Sequence, residues 1–161
     1  MPIDSAMLYF AYGSNMDWAQ MQRRCPDARF RAIGLLDGHR LCFPRRSNLR
    51  GCGVASIQPV AGDSVWGVVY EVSAADLAAL DGHEGYEDGR EKHLNRYNRV
   101  EIQVSHAGNT AQRIVVWTYV AVIEEFPPLP SLAYMAHLMA GAATWGLPAD
   151  YRDKLQAVAT T

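Results

Sequence analysis

The stretch "SVWGVVYEVSAADLAALDGHEG", Ser64 to Gly85, does most to narrow what this chain can become. Its first nine residues are dense in β-branched and aromatic side chains, which pack well on a pleated surface. Ser73 then offers a capping hydroxyl with Asp76 three residues on, and Gly82 or Gly85 supplies a stop, so a short helix should follow the strand directly. Glu84 falls at the exit of that helix.

The flanking segments extend the pattern. "MLYFAY" is an apolar run of strand length ending in Gly-Ser-Asn, and "DWAQMQRRC" opens on an acidic cap with Trp18, Met21 and Cys25 at helical spacing. "FRAIGLLDGHRLCFP" and "GCGVASIQPV" read as strands broken by glycine. "YNRVEIQVSH" alternates, with Val100, Ile102 and Val104 on one face, and "RIVVWTYVAV" is more continuously apolar; a two-stranded ribbon across "AGNT" should join them. Three prolines exclude regular structure from "EEFPPLPS". Beyond it, Pro130 to Trp145 and Pro148 to Val158 read as helices split by "GLP". Strands thus dominate the middle, while helices lie near the start, between strands and at the end. The expected architecture is α+β, a sheet curled into a small mixed β-barrel with flanking helices. With 161 residues, no repeat and no linker tract, residues 1–161 are read as one domain.

Charge and composition remove several classes of function. A net charge of -2, with only Arg45, Arg46 and Arg50 forming a local basic cluster, gives no footprint for nucleic acid. "MPIDSAM" lacks the cationic and apolar regions of a leader, and "LMAGAATWGL" is about half a membrane span, so a cytoplasmic protein without a membrane role is expected. Cys25, Cys42 and Cys52 are odd in number and lack close pairing, which suits free thiols. The scattered histidines give no metal-ligand spacing, and the aromatic residues read as core; no metal and no cofactor are expected.

Two places have the residue types for chemistry. The Gly13 turn can present backbone N–H groups where the strand's ladder ends, a concavity suited to an anion or an oxyanion; a plain glycine-rich connection is the alternative reading. "LDGHEGYEDG" gathers Asp81, Glu84, Glu87 and Asp88, carboxylates that can raise one another's pKa and tune one as a proton shuttle, or that simply form a solvated loop.

"YFAYGSNM", "GDSVWGVVYEVSAADLAALDGHEG" and "PSLAYMAHLMAGAATWGLPADYRDKL" together resemble, in order and spacing, the gamma-glutamylcyclotransferase family, which includes AIG2-like proteins. The similarity runs from about Leu8 to Leu155. It implies a small barrel, a catalytic glutamate at Glu84, and a glutamyl substrate held by Tyr9, Phe10, Ala11, Tyr12, Gly13 and Ser14, with Tyr134 and Tyr97 lining the site. The implied reaction converts a γ-glutamyl amide to 5-oxoproline and a free amine, with no cofactor; a second copy of the chain is a candidate partner. Asn15 after Ser14 separates this chain from the glutathione-degrading branch, which carries Tyr-Gly-Ser-Leu. "YEDGREKHLNR" departs from the animal enzymes in length and charge, which leaves open donors that are amines or carrier adducts. A binding module without chemistry is the reading from another class.

Overall fold

The longest strand, β3 (Cys52–Val72), organises the molecule. The structure, a computed structural model, describes residues 7–161; residues 1–6, on which the reading of a missing leader rests, lie outside them. β3 pairs antiparallel with β1 (Met7–Ala11) at its far end and with β2 (Arg29–Ser47) along most of its length. β2 also meets β4 (Tyr97–His106) through Gly34 and Leu35, and β4 forms a hairpin with β5 (Asn109–Ala121). One parallel register pair, Tyr9 with Trp117, brings β5 back to β1. The sheet therefore closes on itself in the order β1-β3-β2-β4-β5, mixed as expected.

The glycine-broken segments are a correction. β2 runs unbroken for 19 residues and β3 for 21. Gly38, at φ +70, sits where the register jumps from Asp37 opposite Ser64 to His39 opposite Pro59. A left-handed glycine there lets the paired ribbon bend sharply and continue, so it marks a corner rather than an end.

Among the described residues, four α-helices surround the sheet: α1 (Trp18–Arg24), α2 (Ala74–Glu84), α3 (Leu132–Trp145) and α4 (Ala149–Gln156). Asp17 caps α1 by accepting from the Ala19 N–H, and Ser73 and Asp76 cap α2 reciprocally, as their spacing predicts. α3 begins two residues later than expected because Ser131, after Pro130, takes the cap and accepts from the Tyr134 N–H. Short 3₁₀ turns at Ser14–Met16 and Lys92–Leu94 carry no signal that periodicity would reveal.

Phe10, Val65, Val68, Val69, Tyr70 and Val104 are fully buried in the core. α3 lies across the opening turn, where the Trp145 indole donates to the Met16 carbonyl at 3.0 Å and the Tyr70 hydroxyl donates to the Asn15 carbonyl at 2.9 Å. This packing holds the turn after β1 against the later half of α3, where Gly141 and Trp145 meet Met16. Among the described residues, no helix is long and apolar enough to cross a membrane.

Candidate active site

The turn after β1 is fixed by side chains that follow it. Asn15 is buried, donates to the Tyr9 hydroxyl at 3.1 Å, and accepts from Gln20 at 2.9 Å and Arg24 at 3.2 Å. Gln20 also donates to the Ser14 hydroxyl at 2.8 Å. The 3₁₀ turn begins at Ser14, and the leading N–H groups of any such turn have no partner within it. Gly13, Ser14 and Asn15 face a cavity of about 800 Å³, counting the open space at its mouth. Tyr9, Tyr12, Tyr97, Tyr119, Tyr134 and Glu84 share that cavity.

Glu84 is the last residue of α2. One turn earlier, Asp81 is clamped by Arg99 at 2.7 Å and by the Tyr119 hydroxyl at 2.7 Å, which ties the helix end to β4 and β5. The acidic cluster is thereby divided. Asp81 is committed to that clamp, Glu87 is exposed beside Arg90, and Asp88 accepts from Tyr86 outside the cavity. The expectation that neighbouring carboxylates raise one another's pKa is corrected here. Glu84 is raised by burial, and Arg24, Arg96 and Arg50 pull it back down.

The tyrosines form a neutral lining. Burial raises Tyr9, Tyr12 and Tyr97 well above the ordinary phenol value, and Tyr134 is also raised, so all four keep their protons. Two of them bracket one residue of β3: Tyr97 donates to the Ala55 carbonyl at 2.6 Å, and Tyr134 accepts from the Ala55 N–H at 2.9 Å. Ala55 lies opposite the register shift between Cys42 and Arg45, so two side chains from outside β3 fasten the sheet where its ladder is irregular. Tyr12 donates to the Tyr119 carbonyl.

The expected run Tyr9 to Ser14 is not continuous in the cavity. Tyr9, Tyr12, Gly13 and Ser14 line it, whereas Phe10 and Ala11 do not. Strand alternation turns Phe10 the other way, into the core between Gly34 and Gly67, and the Ala11 carbonyl lies against Gly67. Tyr97 and Tyr134 both reach the cavity. The sequence reading missed Arg24, Arg45, Arg46, Arg50 and Arg96, which also line it. Arg50 binds the Gln20 side-chain oxygen at 2.7 Å and lies 5.2 Å from the centre of the Tyr134 ring. Their scatter along the chain hides them; only Arg45, Arg46 and Arg50 gave a local signal, a basic cluster read as too small for nucleic acid.

Comparison with known proteins agrees with this fold. Residues 64–155 match the model of the AIG2-like family. Gamma-glutamylcyclotransferase of Homo sapiens is 33% identical over 161 residues, covering 98% of this chain and 81% of the human protein. The Mus musculus enzyme of the same name is 34% identical over 158 residues, covering 94% of this chain and 78% of that protein. A solved structure of a gamma-glutamyl cyclotransferase superposes with a TM-score of 0.85 at 31% identity, covering 98% of this chain and 90% of its own. By its residues, its fold and these relatives together, the chain belongs to the AIG2-like, gamma-glutamylcyclotransferase family.

Proposed function

We propose that this chain is a gamma-glutamylcyclotransferase, converting γ-glutamyl amides to 5-oxoproline and a free amine. One observation carries the reading: Glu84, a carboxyl raised by burial, shares a cavity with the turn after β1 and with Tyr97 and Tyr134. Nucleophile and electrophile belong to one substrate molecule, so the cavity acts chiefly by holding the folded conformer in which they meet.

In this mechanism Glu84 takes a proton from the substrate's α-ammonium, and the freed amine attacks the γ-carbonyl carbon. A C–N bond forms, and the carbonyl oxygen takes up negative charge. Backbone N–H groups at Gly13 and Ser14 face that charge or the α-carboxylate, and Arg24 and Arg50, which border the turn, add positive charge on the same side. As the intermediate collapses, the bond to the leaving nitrogen breaks and Glu84 returns its proton there. The ring nitrogen sheds one further proton, which the departing amine carries away as ammonium. Tyr134 and Tyr97 orient the substrate; Phe10 and Ala11 carry the turn without touching it. No covalent bond to the protein forms.

Glu84→Gln keeps the shape and removes the base. We expect near-complete loss of 5-oxoproline formation with the circular dichroism unchanged, and full retained activity rejects the assignment. Glu87→Gln, from the same acidic segment but exposed, is the matched control; a larger loss there moves the role to Glu87. The reaction is assigned to the cytoplasm, a setting supported by three free cysteines, of which burial pushes Cys25 up to about 12 and Cys42 up to about 11.

A further inference from the structure

Five arginines line the cavity against one carboxylate, Glu84. Among the described residues, none of these five forms an ion pair with an acidic side chain, whereas Arg31, Arg40, Arg90 and Arg99 outside the cavity are each paired. Cations in such excess over counter-charge repel one another, so a site of this kind favours a ligand that brings further negative charge itself.

The five divide into two groups. Arg24 and Arg50 are fastened to the turn after β1 through Asn15, Ser14 and Gln20. Arg45, Arg46 and Arg96 converge from elsewhere, held by the short segment that follows β5. Val122 accepts from the Arg45 guanidinium at 3.2 Å and donates its N–H to the Arg96 carbonyl at 2.9 Å. Glu124 donates its N–H to the Pro44 carbonyl at 2.9 Å, and its carboxylate accepts from the Arg46 backbone N–H at 2.7 Å. Arg45 Nε is buried without a hydrogen-bond partner. Arg96 is packed on Gly85, the residue after Glu84, so closely that a Cβ there would lie 2.2 Å from its Nε.

A γ-glutamyl group carries one α-carboxylate, which Arg24 and Arg50 at the turn, the inner group, can hold. Arg45, Arg46 and Arg96, the outer group, are then left for what lies beyond the scissile amide. An amine leaving group brings them no anion and a neutral amino acid brings one, while a guanidinium pairs best with a carboxylate of its own. We propose that Arg45, Arg46 and Arg96 read a leaving group with two carboxylates, so that the preferred donors are γ-glutamyl amides of acidic amino acids. The proposal rests on the cyclotransferase reading and narrows it.

The test compares γ-glutamyl-glutamate with γ-glutamyl-glutamine, nearly equal in shape and different by one charge, with a γ-glutamyl alkylamide as third donor. Release of 5-oxoproline gives kcat/KM for each. We expect the glutamate donor to lead the glutamine donor by about tenfold at low salt, as one charge-assisted pair provides, with the lead shrinking as salt is added. Arg46→Ala with Arg96→Ala, both at exposed positions, should bring the ratio near one with the circular dichroism unchanged. Equal kcat/KM for the two dipeptides, or a ratio untouched by the double substitution, overturns the proposal and leaves the cyclotransferase reading standing. No 5-oxoproline from any donor overturns both.

Discussion

At the scale of single residues, Glu84 couples stability to catalysis. Its carboxyl is raised by burial, so the folded state holds its proton to higher pH than the unfolded chain does. Between the ordinary carboxylate pKa of about 4.3 and the raised folded value, the native state binds more protons, and its stability falls as pH rises. The uncharged form thus contributes fully below the ordinary value, and that contribution is lost above the folded one. Glu84→Gln mimics the protonated form. The variant should match the wild type in Tm at acid pH and exceed it by a growing margin toward neutrality, about 2–4 °C for each kcal/mol relieved. The same titration must set the acidic limb of kcat/KM in the wild type, since only the ionised form accepts a proton. Thermal melts and rates across one pH series should therefore share a midpoint above the ordinary glutamate value; a limb at or below that value removes Glu84 as the base.

At the scale of elements, what the sequence made legible was local. The reciprocal cap of α2, the Asp17 cap of α1 and the β4–β5 hairpin depend on residues a few positions apart, and each formed as its spacing required. The period of two also held a signal that the family resemblance overrode: Tyr9 and Phe10 are neighbours on a strand, so only one can face the cavity. What lay hidden depends on long-range folding. Gly38 looks like a stop until β3 supplies a partner along β2 from Arg29 to Ser47, and Arg24, Arg50 and Arg96 gather only when α1, the β2–β3 turn and the segment before β4 converge. The seating of α3 on the opening turn is of this second kind, and Gly141 makes it testable. A Cβ at Gly141 would lie 2.3 Å from the Met16 carbonyl carbon, a backbone atom that cannot swing aside, whereas one at Gly82 in α2 meets nothing within 4 Å. Gly141→Ala should cost about 1–3 kcal/mol or more by overpacking and raise KM by shifting the turn. Gly82→Ala should be neutral or stabilise by up to about 1 kcal/mol, through helix propensity alone. Urea denaturation of the two variants separates these signs, and equal effects would mean that α3 does not bear on the turn.

At the scale of the molecule, the sheet closes at its weakest seam beside its most important cavity. β1 and β5 share a single register pair, so side chains supplement the ladder there: Thr118 Oγ1 donates to the Phe10 carbonyl at 2.8 Å, and the Tyr12 hydroxyl donates to the Tyr119 carbonyl. β1 leads into the turn that bears Gly13 and Ser14, while β5 leads into the Val122–Glu124 segment that holds Arg45, Arg46 and Arg96. The seam therefore sets the spacing between the two sides of the cavity as well as closing the sheet. Thr118 is fully buried, and Thr118→Val replaces its hydroxyl with a methyl of similar size. Losing that hydrogen bond should lower stability by about 1–3 kcal/mol, read as a lower urea midpoint with an unchanged m-value. If the seam also spaces the cavity, kcat/KM falls in the same variant under conditions where it remains folded, and the fall is greater for a donor that must span both groups of arginines than for a γ-glutamyl alkylamide that engages the inner group alone. A destabilised variant with wild-type rates on both donors would confine the seam to holding the barrel shut.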